Sequence, residues 1–358
     1  MSNYVEYKGR VAFHPGYYIE EIVDESGLSQ QDFAKKLDTT PKNLSKLING
    51  QQSLSVDMAV KLSRMLGTSL EYWLNLQNAY DSALVEFNSE ACVEQEKKVL
   101  RTLRYGYFQK YFGLPDLPRQ TLSQVDEVRK FLKISSLNVL KSPDLSVSFR
   151  SSCNEMDEDT ICRANALVQI AVNSLSGVDA PKYDRGLFKG AVEFALSQTT
   201  NHDGFLPLVR EALLKAGVVL VVLPNLPGSK VNGATKKIGS CILLMVNDRR
   251  HFADTFWFSL FHEMGHILND DFGVSFEHGD DEKEVVADKF AADSLIPAND
   301  YARFVSAGRF EALDVVRFAE EIDRDPGIVV GRLENDGHVR HGDRRLSHLR
   351  HRYEIVSK

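Results

Sequence analysis

Residues 262–266 read His-Glu-Met-Gly-His, an HExxH spacing set in an apolar stretch, Trp-Phe-Ser-Leu-Phe before it and Ile-Leu after. On an α-helix His262 and His266 lie one turn apart and point the same way, so two imidazoles can grip one metal ion. Glu263 is carried beside them, where a carboxylate can take a proton from metal-activated water. HExxH alone also occurs by chance on ordinary surface helices. The apolar flanks argue for a buried helix, in which His-Glu-His without a partner is costly.

Two histidines leave a zinc site incomplete. Glu284 opens Glu-Val-Val-Ala-Asp-Lys-Phe-Ala-Ala, with helical spacing at Val285, Ala287, Phe290, Ala291 and Leu295, before Pro297. Asp288, one turn on, can accept the outer N–H of a ligating histidine and fix its tautomer. His262, His266 and Glu284 therefore make the two-His, one-Glu set of a catalytic zinc site, with one position open to water. Mn²⁺ fits the same donors. Glu277, His278, Asp280, Asp281 and Glu282 fall in a Gly- and charge-rich stretch that reads as a solvated loop.

The elements around this helix follow from apolar patterning. Val218–Leu223 and Cys241–Val246 are short β-branched runs bounded by Gly, Pro and Asn, and they read as buried strands. The stretch from Pro224 to Thr235 reads as a turn-rich loop, whose Gly233-Ala234 could line a cleft. A sheet packed on the helix could offer an edge strand to an extended peptide. Tyr301 and His338 are chemically suitable oxyanion donors, and a structural role for each is the simpler reading.

The segment Phe256–Leu268 with the Glu284–Pro297 stretch resembles the ImmA/IrrE family of metallo-endopeptidases. The likeness runs back to GVVLVVLPNLPGSKVNGAT and forward to DPGIVVGRL, roughly residues 205–335. It implies a zinc-dependent protease of zincin-like fold, with His262, His266 and Glu284 as ligands and Glu263 as general base. The family usually carries a second acidic residue two places after that Glu; here it is Val286.

Residues 13–78 carry a different logic. Ser29 sits at a helix N-cap with Asp32 three residues on, and Phe33, Ala34 and Leu37 face inward. Asp38-Thr39-Thr40 makes a turn, and Pro41 starts a second helix. Its Leu44, Leu47 and Ile48 face inward, leaving Lys42, Asn43, Ser45 and Lys46 outward before Asn49-Gly50. A short second helix with polar side chains at its leading end suits the major groove. The segment resembles the XRE/HigA-like helix-turn-helix family, from FHPGYYIEEIVDESGLSQQDFAKKL through LINGQQSLSVDMAVKLSRMLGTSLEYWLNLQ. By that likeness Gln30 and Gln31 would contact phosphate, while Thr40, Lys42, Asn43 and Lys46 would read or anchor bases. The chain is acidic, net −7, which argues against a general nucleic-acid coat. Residues 35–64 nevertheless hold six Lys/Arg against two Asp, a local +4, which suits a homodimer with few phosphate contacts.

The expected organisation is α+β and mostly helical. Residues 1–78 form an all-α DNA-binding domain, 79–204 a helical connector or dimerisation region, and 205–335 the zincin-like domain with a small sheet on the HExxH helix. Residues 336–358 make a flexible basic tail. Hydrophobic content of 43% suffices for packed cores. No run approaches the ~20 apolar residues that span a bilayer, and the start lacks a signal peptide. The four cysteines are widely spaced without CxxC, as for reduced thiols in the cytoplasm. Three functions compete: a regulator bound to operator DNA that cleaves a repressor, an antitoxin-system partner or itself; an antitoxin-like autoregulatory repressor with an idle metal site; and a zinc hydrolase acting on a non-peptide substrate. The first is expected, because a purely structural site has no use for Glu263 beside an open coordination position.

Overall fold

Ser29, Thr40 and Ser55 each accept the backbone N–H three residues on. They thereby start α2 (Gln30–Lys36), α3 (Pro41–Ile48) and α4 (Val56–Leu66). α1 (Pro15–Glu25) is capped differently, by His14 Nδ1 accepting from the Gly16 N–H. Ile19, Phe33, Leu37, Leu44, Leu47, Leu62 and Trp73 are buried together as one core. Gly16 is fixed by packing: a Cβ there would lie 2.0 Å from the Leu47 carbonyl oxygen. The first domain is not all-α as expected: a hairpin of β1 (Tyr4–Tyr7) and β2 (Arg10–Phe13), held by antiparallel pairing, precedes these helices.

The computed structural model describes residues 3–7, 9–143, 157–276 and 282–355. The chain divides into two compact units, Met1–Gln95 and Glu96–Lys358. α5 (Leu70–Leu103) carries the chain across that division, and Arg104, at φ +59° in the left-handed region, separates it from α6 (Tyr105–Phe112).

The second unit is built on a four-stranded sheet in the order β3-β5-β4-β6. β3 (Val218–Leu223) runs parallel to β5 (Cys241–Asn247); β4 (Val231–Ile238) pairs antiparallel with both β5 and β6 (Gly273–Phe276). Alternation along the strands feeds two cores. Val219, Val221, Leu243, Met245 and Val274 face one side, with α6, α7 (Leu122–Leu132) and α8 (Glu158–Ser174). Val218, Leu220, Ile242, Leu244 and Val246 face the other. There they meet α9 (Arg185–Ser197), α10 (Phe205–Lys215), α11 (Ala253–Leu268), α12 (Glu282–Leu295), α14 (Ala312–Glu321) and α15 (Pro326–Asn335). α13 (Ala298–Ala307) lies between α12 and α14 in the chain. The protein is thus mostly helical α+β with a small mixed sheet. Among the described residues no helix is long and apolar enough to cross a membrane.

Two further expectations need correction. Pro224–Thr235 is not all loop, because β4 begins at Val231. Asn232 and Gly233 are poor strand formers, but pairing with β5 and burial of Val231 and Ala234 hold the strand. Residues 337–355 do not form a flexible tail either. Arg350 is only 13% exposed and forks onto Asp254 of α11 at 3.1 and 2.7 Å while reaching Glu334 of α15 at 3.0 Å. Backbone bonds from Ala253 to His351 and from Tyr353 to His251 tie residues 351–353 along the start of α11. The Arg350 charge that reads as solvated in sequence is consumed by two buried carboxylates.

Candidate metal centre and nucleic-acid interface

α11 is apolar on most of its circumference. Phe256, Trp257, Leu260, Phe261, Met264 and Ile267 are buried in the core on the sheet, and α12 packs along the helix so closely that Phe290 abuts Gly265. In its C-terminal half α11 also carries His262, Glu263 and His266, all buried. Glu284, in the first turn of α12, is buried against them. His262 Nε2 lies 3.1 Å from Glu284 Oε2, His266 Nε2 lies 3.3 Å from Glu284 Oε1, and the two Nε2 atoms are 3.0 Å apart. Three donors from two helices therefore converge on one point.

These separations suit a small cation. Ligands at ~2.05 Å in a tetrahedron stand about 3.3 Å from one another. The outer nitrogens are occupied as metal-binding histidines require. His262 Nδ1 meets Asp288 Oδ1 at 2.8 Å, and His266 Nδ1 meets Asp271 Oδ2 at 2.9 Å. Burial works against a charged imidazole at His262, yet bonds to Asp288 and Glu284 outweigh it and raise its pKa to about 10. Burial likewise opposes an ionised Glu284, and the adjacent imidazoles overcome it, bringing its carboxyl down to about 2. Four carboxylates (Glu263, Glu284, Asp271 and Asp288) surround two imidazoles. Asp288 is 56% exposed and Asp271 is paired with Lys283, so the buried carboxyls facing the imidazoles are Glu263 and Glu284, oxygen donors of the kind a divalent cation takes.

Asp271 is the residue that sequence reasoning misses. It follows α11, where its N–H bonds the His266 carbonyl at 3.0 Å and Asp270 takes φ +53°. The signal was a carboxylate at the end of an αL-terminated helix, five residues past the second histidine. Lys283 Nζ meets its other oxygen at 2.9 Å, just before Glu284. Tyr301 sits under the Arg332 guanidinium at 4.9 Å and His338 lies 6.4 Å from its ring. Val285, expected inward, is 60% exposed. Glu282 starts α12 exposed, while Glu277, His278, Asp280 and Asp281 lie outside the described residues.

A second group, His202, Asp325 and His351, has ligand chemistry but the wrong geometry. Its imidazoles stack 3.6 Å apart at 21°, so no point lies at ligand distance in both ring planes. Asp325 instead caps α15 through the Gly327 N–H at 2.8 Å.

In the first unit, Gln30 and Gln31 are exposed at the start of α2, as are Thr40, Lys42 and Lys46 on α3. Asp38, Thr39, Thr40, Lys42, Asn43 and Lys46 line one concavity of about 580 Å³. Thr40 is the N-cap of α3. Asn43 has its amide engaged at both ends, donating to Thr39 at 3.1 Å and accepting from Gln52 at 2.8 Å. Its side chain is therefore held in place, and Gln52, unremarked in the sequence, is drawn into the same surface.

Two helices packed across a tight turn, the second exposing a polar leading end, define a helix-turn-helix protein. Residues 19–73 match the helix-turn-helix family. An HTH-type transcriptional regulator of Escherichia coli K12, YddM, is 42% identical over 72 residues, which is 20% of this chain and 77% of YddM. The chain belongs to the helix-turn-helix family of transcriptional regulators. Antitoxin HigA-1 of Vibrio cholerae is 34% identical over 61 residues, 17% of this chain and 57% of its own length. The solved structure of an addiction module antidote protein of a HigA family from Coxiella burnetii is 34% identical. It covers 24% of this chain and 92% of that one, with a TM-score of 0.22.

Proposed function

We propose that the chain is a DNA-binding regulator of HigA-like type whose second unit is a zinc-dependent endopeptidase acting on a protein partner. The observation that carries this reading is the convergence of His262, His266 and Glu284 with Glu263 buried beside them. A divalent ion held by the three donors supplies Lewis acidity toward water and a peptide carbonyl. Glu263 accepts the proton of the attacking water and passes it to the departing amine, so water and one peptide bond become a carboxylate and an amine. Asp288 and Asp271 hold the imidazole tautomers that leave both Nε2 atoms directed inward.

The substrate class follows from the pairing of functions on one chain: a repressor or antitoxin-system protein, or a second copy of this regulator. The test is to incubate the zinc-loaded protein with repressors encoded beside it and analyse the products by mass spectrometry. A discrete cut that chelator abolishes supports the reading; intact partners with one equivalent of bound zinc count against it. Asp271→Asn is expected to weaken zinc binding roughly 10–100-fold, read by competition with a chromophoric chelator. Unchanged affinity would remove Asp271 from the site.

A second reading, an autoregulatory antitoxin-like repressor with an idle metal site, is favoured by the likeness to HigA-1. Both readings require operator binding as a homodimer. Lys42→Ala with Lys46→Ala is expected to lower the slope of log affinity against log salt by roughly two and to weaken binding across sequences. Gel-shift titrations with an unchanged slope would reassign α3 to protein docking.

A further inference from the structure

β4 meets α11 at Gly233, which lies against Glu263. A Cβ at that position would lie 2.5 Å from Cγ, 2.6 Å from Oε1 and 2.7 Å from Cδ of Glu263. Non-bonded heavy atoms rest at about 3.5–4.0 Å, so every other residue type would drive the carboxylate arm away. The backbone does not demand the glycine, since its φ lies outside the left-handed region. Nor does the strand gain from it, because a glycine inside a strand weakens pairing. The register against β6 shifts between Val231 and Gly233, and such irregularities recur where a strand re-aims a group beside an active site.

We propose that Gly233 is a positioning residue: its missing side chain forms the seat that holds the Glu263 carboxylate beside the His262–His266–Glu284 donors. This rests on the peptidase reading above. Glu263 is fully buried, and its arm lies between its own helix and the strand. The chain thereby fixes the rotamer before any substrate arrives, which is where enzymes gain most from preorganisation.

The test is a double-mutant cycle with Gly233→Ala, Glu263→Ala and the pair, read in three ways. With Glu263 present, Gly233→Ala should lower the melting temperature by roughly 3–10 °C; in the Glu263→Ala background, where the space is open, it should change little. Zinc affinity should stay within about threefold, because no ligand moves. Casein cleavage should fall about 100-fold, the usual cost of misplacing a catalytic group by ~1 Å. Equal destabilisation in both backgrounds, lost zinc affinity, or wild-type cleavage by Gly233→Ala would each overturn the proposal. A wild type that leaves both casein and the repressors encoded beside it intact while the stability cycle shows coupling supports the seat and counts against the peptidase reading. The two failures are therefore distinguishable.

Discussion

Glu263→Gln is expected to leave the zinc content of the purified protein unchanged and to cut peptide hydrolysis by about three orders of magnitude. Glutamine has the same length and shape, so it fills the space against Gly233 and preserves packing between α11 and β4. It cannot take up a proton, and the loss of a general base costs ~10²–10⁴ in rate. The three ligand atoms belong to other side chains and keep their geometry. The measurement is kcat for a defined peptide, with metal analysis and melting temperature on the same preparation. Full turnover by the Gln variant would refute the assignment of Glu263 as base, whatever the metal content.

Glu284→Ala should produce the opposite pattern, a protein that folds but holds its ion poorly. Zinc bound by a few protein ligands gains about 10 kcal/mol or more. Losing one of three donors removes about a third of that, roughly a 10²-fold rise in the dissociation constant. The carboxylate does two things that alanine cannot: it supplies an oxygen to the ion, and its negative charge lies 3.1–3.3 Å from both imidazoles. Chelator competition measures the affinity directly, and hydrolysis at saturating zinc separates weak loading from lost chemistry. Unaltered affinity would point to a different third ligand.

Much of the helix-turn-helix unit is legible in sequence because its signals are local. Ser29, Thr40 and Pro41 mark helix starts through bonds that span three residues, and Leu44, Leu47 and Ile48 repeat at helical spacing. The donors are legible for the same reason, since His262 and His266 need only one turn and Asp288 only the next turn after Glu284. What escapes depends on partners distant in the chain. β4 carries Asn232 and Gly233 and becomes a strand only by pairing across Leu244 and Met245. β6 is four residues long and takes its place from the strand beside it. Asp271 acquires a role only when the turn after α11 folds its carboxylate back onto His266. The basic run after residue 336 looks solvated until Asp254 and Glu334 are seen to meet Arg350.

That last contact also bears on the order in which the molecule is made. Arg350 and Asp254 are separated by 96 positions, so the brace on the first turn of α11 cannot form until residues near 350 have emerged. Helices that pack within a short stretch form early, whereas pairings across long separations close late and slowly. The first unit, whose core lies between Ile19 and Trp73, can therefore mature while the chain is still being translated. The helix bearing His262, Glu263 and His266 gains its final brace more than 270 residues later.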